Sequence, residues 1–322
     1  MPKFYLGTET GFLLVKSRDV SSFKEGTSVA STSLEKMNVR RIAINPDDVG
    51  EVYAGTYGNG LFKSEDGGKE WFRVGADVLD DHIRSILLNP TDPKEVYVGT
   101  EPANLYRSRD GGATWTDLKI RELPGSEGWY LPYSPRAGAV RTLAIHEMEP
   151  EVVYGGVEDG GLIKSEDGGR TWFIDHEGIH HDVHGLSMHP EDPERILAAT
   201  GGGFYVTEDG GEGWDRIMED YTRDVAFSLG DPESAFAGPA TGIGKGGRIV
   251  VSRDAGKSWE GASDGLDVPM DDMVELFVQD ERLPDVVFAV TSGGRVLYSE
   301  VDEASWEEGF RLDRHVKDLA LA

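Results

Sequence analysis

The stretch "KSEDGGKEW", Lys63–Trp71, is polar, rich in glycine and closed by a large aromatic residue. Nearly the same words return as "RSRDGGATW" from Arg107 and "KSEDGGRTW" from Lys164. The core of the phrase lies at Ser64–Trp71, Ser108–Trp115, Ser165–Trp172, Thr207–Trp214 and Ser252–Trp259. Two worn copies flank these, "SRDVSSF" from Ser17 and "SEVDEASW" from Ser299. The seven starting points are separated by 47, 44, 57, 42, 45 and 47 residues, a period that marks a repeat architecture.

The surroundings of the phrase recur with it. In "VRRIAINPDDVGEVYAGTYGNGLFKSEDGGKEWFRV", residues 39–74, an apolar strand ends at a Pro turn and "EVYAGT" makes a second strand. A Gly-rich turn leads to a third, "GLFKS", and the phrase turns the chain into a fourth, "EWFRV". The same order starts near Ile83, Val140, Val183, Thr222 and Met273. Four short strands per repeat without helical periodicity read as the blades of a β-propeller. Residues 3–17 match strands two and three of a blade, and "HVKDLALA" matches a lone first strand. The last residues therefore complete the first blade: blade 1 is 316–322 with 1–35, and the chain is expected to be a single all-β domain, 1–322, of seven four-stranded antiparallel blades. Such closure removes an exposed sheet edge.

Within S-x-D-x-G-x-[TS]-W, Ser and Asp can bond the backbone of their own turn, Gly supplies a positive φ, and Trp wedges beside the hairpin. This pattern resembles the Asp-box, or BNR, repeat of the sialidase-like propellers. That repeat is shared by sortilin-type receptors, xyloglucan-cleaving glycosidases and the photosystem II assembly factor. The resemblance implies that Asp66, Asp110, Asp167, Asp209 and Asp254 are structural, on the face away from the ligand. It leaves the job open, because function lives in sites grafted on folds.

Composition narrows the classes. The formal charge is −27, from 59 acidic and 32 basic residues, which repels nucleic acid and anionic membranes. Acid excess with 12 Lys beside 20 Arg resembles proteins of salt-loving organisms, where ions screen the repulsion. With no Cys, disulfides and thiolate zinc sites are excluded. "MPKFYLGTETGFLLVKS" has no signal-like apolar region, and no stretch reads as a membrane span, so a cytoplasmic location is expected.

One column of the seven first strands carries most of the candidate chemistry: Arg40, Arg84, Arg141, His184, Arg223, Val274 and Lys317. Six of the seven are basic or can become so, and converging bases repel unless an anion compensates. Arg is well shaped for carboxylate or phosphate, which predicts an anion site at the channel mouth. The alternative is that Asp224, Glu275, Asp318 or loop acids neutralise the column. His82 and His315 precede first strands, and "HHDVH" supplies His180, His181 and His184. Neutral imidazoles suit Zn, Fe or Ni, so His181 and His184 are the candidate ligands of a divalent metal, although nothing in the sequence requires a cofactor. Proton relay is the other role for His82, His184 and His315.

The longest spacing comes from "ELPGSEGWYLPYSPRAG", Glu122–Gly138, whose Trp129 and Tyr133 are expected to cover a ligand or to pack as a lid. "GPATGIGKGGR", Gly238–Arg248, fails the P-loop spacing and reads as a flexible turn. Among loop acids on the same face, Glu101 and Glu158 are the candidate carboxylates of a glycoside hydrolase. Three functions follow: a site for a small anionic or sugar-like ligand, with or without turnover; a glycosidase or a metal-assisted hydrolase or lyase; and a protein-binding scaffold. The resemblance supplies precedents for the last two.

Overall fold

A computed structural model describes residues 3–16, 28–133, 137–175, 177–312 and 315–322. It contains seven antiparallel sheets, six of them with their four main strands in chain order, and is a seven-bladed β-propeller. Blade 2, for example, runs Val39–Ile44, Val52–Thr56, Leu61–Ser64, Phe72–Val74. Blade 6 adds a short strand, Lys245–Gly247, in the turn after its second strand. The closing strand, Val316–Leu321, pairs with Lys3–Thr8, so the chain's end completes its first sheet as expected. Lys3 and Ala322 exchange both backbone hydrogen bonds, at 3.2 and 2.9 Å. The worn copy at 17–23 lies outside the described residues. The chain divides into two compact units, Met1–Ile174 with Lys317–Ala322, and Asp175–Val316.

In the first unit, the apolar clusters among the described residues combine side chains from neighbouring blades. Tyr5 and Phe12 of blade 1 pack with Val39, Val52 and Ala54 of blade 2. Tyr97 and Leu105 of blade 3 pack with Val140, Val153 and Ile163 of blade 4. The glycine that ends "YAGT" and "YVGT" makes this approach feasible. A Cβ at Gly55 would lie 2.6 Å from a methyl of Ile83, and one at Gly99 would lie 2.7 Å from Val140. Burial of these sheet faces supplies the stabilisation, at about 25 cal/mol per Å2 of apolar surface. In the second unit the same logic groups Phe236, Phe277 and Trp306 with ring centroids 6.0–6.2 Å apart.

The repeated phrase sits between strands three and four. Ser64 Oγ donates to Asp66 Oδ1 at 2.9 Å and accepts the Gly68 N–H at 2.9 Å. Asp66 Oδ1 takes the N–H groups of Lys69 and Glu70, both at 3.0 Å, and the Trp71 indole donates to Gly68 O. The copies at Ser108, Ser165 and Ser252 repeat this, with a Thr or Ser hydroxyl added to the Asp. These bonds favour the ionised form: the Thr114, Thr171 and Ser258 donors bring Asp110, Asp167 and Asp254 down to about 2. The turn also docks on the preceding blade, a contact that the sequence pattern did not suggest. Tyr53 Oη donates to Gly111 O at 2.8 Å, and Tyr97 Oη to Gly168 O at 3.3 Å.

Candidate functional site

The basic column owes its position to a backbone irregularity. In blade 2, Val39 pairs with Thr56 and Arg41 with Gly55, so Arg40 is an extra residue opposite no partner. The same one-residue bulge places Arg84, Arg141 and His184, and blade 6 puts Arg223 and Asp224 against Gly238 alone. Bulges re-aim a side chain out of the regular alternation. One member of the column needs correction. In blade 7, Val274 pairs with Thr291 and Leu276 with Val290, so the bulged residue is Glu275 and Val274 takes the place of Val39. The two apolar residues at the head of that strand hid the register. Glu275 Oε2 lies 3.8 Å from Arg223 Nε.

In the first unit the bulged arginines of blades 2, 3 and 4 meet the residues that end the second strands: Tyr57, Glu101 and Glu158. Arg84 is 6% exposed and bridges two carboxylates, with Nη1 donating to Glu101 at 2.8 Å and Nη2 to Glu158 at 3.2 Å. Glu101 is fully buried and Glu158 nearly so. Arg141 Nη1 donates to both oxygens of Glu158, at 2.9 and 3.0 Å. Tyr57 Oη donates to Glu101 at 2.9 Å, and the Arg40 guanidinium lies over its ring, 4.4 Å from the centroid. His82 packs edge-on against the same ring at 4.3 Å. Burial first, and the Arg141 charge second, pull Arg84 down to about 9, which leaves it a cation at neutral pH. Lys317 is half-buried on the closing strand. The next residue, Asp318, accepts the Ile42 N–H at 2.6 Å and ties that strand to blade 2.

The 122–138 insertion divides its aromatic residues. Trp129 is buried among Ala103, Val140 and Val157 and fills the core, leaving no open platform. Tyr130 and Tyr133 are each 62% exposed. The Tyr133 hydroxyl nevertheless reaches inward to donate to Glu158, and burial of that end with the Glu158 charge pushes its pKa up. Residues 134–136, including Arg136, lie outside the described residues.

The second unit holds other candidates, of which His184 and Arg223 both pack on Tyr221. His184 is buried, with Nδ1 at 3.0 Å from Thr222 O and Nε2 at 2.9 Å from Asp182 Oδ1. Arg223 lies over the Tyr221 ring at 5.5 Å. His181 is exposed and stacks on His180, whose pKa is lowered by burial and then by that neighbour. His315 is exposed, near Ser292 O. Asp271 and Asp272 line a cavity of about 630 Å3 together with Met270, Arg295 and Glu308. Burial pushes the Asp272 carboxyl up, but bonds from Arg295 and Thr291 outweigh it and hold it low.

Tyr57 was missed by sequence reading. It follows Thr56 as Glu101 follows Thr100, and that shared place at the end of the second strand was the available signal.

The fold defines a seven-bladed propeller, and its structural neighbours are propellers of diverse function. No family model matches the chain, and no curated protein matches it. Among solved structures it is similar to a GH74 xyloglucanase from Xanthomonas campestris, at 17% identity and a TM-score of 0.65 over 84% of this chain. An ancestral GH74 enzyme gives 13% identity and a TM-score of 0.63 over 88% of it. YCF48 bound to a D1 peptide gives 17% identity and a TM-score of 0.55 over 84%. The chain spans only 45% and 38% of the two GH74 chains but 80% of the YCF48 chain. At these identities the likeness shows the fold alone.

Proposed function

We propose that the Arg40–Arg84–Arg141 cluster of the first unit is a binding site for a small anionic ligand, including an anionic sugar. One observation carries this reading. Three guanidinium groups, Arg40, Arg84 and Arg141, gather around Tyr57 and the two buried carboxylates Glu101 and Glu158. Three cations thus face two carboxylates, and an anion near a pair of guanidiniums relieves their mutual repulsion. Arg40 and Lys317 add charge from the neighbouring first strands, His82 offers a proton donor beside Tyr57, and Tyr133 flanks the entrance. The glycosidase reading is weaker here. Glu101 and Glu158 would have to exchange protons with a substrate, and both are held by Arg84. The second reading is a protein-binding scaffold, favoured by the fuller coverage of YCF48, whose structure holds a D1 peptide.

A thermal-shift screen with carboxylates, phosphate, neutral sugars and divalent metals at low and high salt tests the proposal. The expected result is stabilisation by anions, weakened by salt and by Arg40→Gln. Stabilisation by none of them would reject the small-ligand site in favour of the scaffold.

A further inference from the structure

The first unit already holds a carboxylate in the cluster, and its pose describes what the cluster accepts. Both oxygens of Glu158 face Arg141 Nη1 at nearly equal distance, 2.9 and 3.0 Å. Oε2 also takes the Arg84 Nη2 hydrogen at 3.2 Å, and the Tyr133 hydroxyl donates to the same group. The donors come from three segments: Arg84 and Arg141 from bulged first strands, Tyr133 from the insertion ahead of blade 4. They leave a flat, two-oxygen cradle. A guanidinium pairs well with a planar carboxylate, and the tyrosine closes one side.

We infer that Glu158 is a built-in occupant of a carboxylate cradle, and that it sets the ligand class of the site. This rests on the anion-site reading. An incoming ligand competes with Glu158 for Arg84 and Arg141, so it must offer the same planar geometry. A carboxylate does so, as in a uronic acid or a small organic acid. A tetrahedral phosphate or sulfate also pairs with guanidinium, but it does not reproduce the planar two-oxygen pose that Glu158 takes against Arg141 Nη1. Glu158 lies at the end of its strand, next to Asp159, which has a left-handed backbone (φ 54°). Glu158 is the last residue of its strand and is buried, so a ligand that displaces its carboxylate has to take over its two guanidinium partners. Exchange also releases the Tyr133 hydroxyl.

Chemical rescue tests this on the full chain. Glu158→Ala vacates the cradle between two guanidiniums and should lower the melting temperature. Acetate or formate should restore it, whereas sulfate and chloride at equal ionic strength should not. By calorimetry, acetate should bind the variant at least about tenfold more tightly than the wild type, because a charge-assisted competitor has gone. Where Glu158→Ala does not fold, Glu158→Gln keeps the volume, drops the charge and carries the same affinity comparison. Equal rescue by sulfate, or equal acetate affinity in wild type and variant, would overturn the inference and leave the anion site standing. Rescue of the variant with no carboxylate uptake by the wild type would instead support the cradle and reject the anion-site reading.

Discussion

Replacing Arg84 by Met isolates the central ion network. The side chain is 6% exposed and serves Glu101 and Glu158 at once. Glu158 would keep Arg141, and Glu101, fully buried, would keep the Tyr57 hydroxyl but lose its Arg84 guanidinium. Removing one partner of a buried pair costs about 3–5 kcal/mol, chiefly because the remaining charge stays desolvated. For a cooperative unit of 150–250 residues that corresponds to a fall of roughly 10 °C in melting temperature. Urea unfolding followed by tryptophan fluorescence measures it. The compensated double variant Arg84→Met/Glu101→Gln removes both charges and should recover much of the loss, giving a coupling on the order of 1–3 kcal/mol. A single variant within about 1 kcal/mol of the wild type, or a double variant no better than the single, would refute the view that these charges are desolvated and interdependent.

Burial pushes the Asp318 carboxyl up to about 6, against the pull of Arg41 and the N–H groups of Ile42 and Leu319. The folded state thus holds its proton more tightly than the unfolded chain, so this group's contribution to stability falls as pH rises from about 4 to about 6, by roughly 3 kcal/mol. Urea midpoints across that range should lose this component in Asp318→Asn. The phrase carboxylates behave oppositely. Asp110, Asp167 and Asp254 are held at about 2, so their contribution persists above about pH 4 and is lost as pH falls towards 2. Asp167→Ala should reduce acid sensitivity in a melting-temperature titration between pH 2 and 4 while lowering stability at neutral pH. Deleting Val316–Ala322 should lower the melting temperature markedly, because it strips the Lys3 pairing and the Asp318–Ile42 bond; a truncated chain that melts like the intact one would contradict the closure.

The blades were legible because each local signal agrees with the others: the polar turn, the paired strands before it and the glycine that admits the next sheet. Closure was legible because the two chain ends carry complementary parts of one pattern. The site was legible only as a column of residue types. A bulge has no fixed sequence mark, so the strand head "MVEL" allowed Val274 to be aligned where Glu275 belongs. The partners of Arg84 sit 17 and 74 positions away, a relation set by sheet packing and invisible to spacing. Trp129 and Tyr133 read alike, as cover for a ligand or as packing, because they share one aromatic loop; composition cannot tell which aromatic of a loop turns inward.

The joint between the chain's two ends also orders its manufacture. A ribosome releases Lys3–Lys16 before blades 2 to 7, yet the strand that flanks them, Val316–Leu321, follows all of those blades. That sheet waits, with one side unoccupied, until Val316–Leu321 emerges. Since Lys3 and Ala322 sit directly opposite each other, a short linker between them, with new termini opened at an outer turn, would make the first sheet contiguous and let it assemble co-translationally.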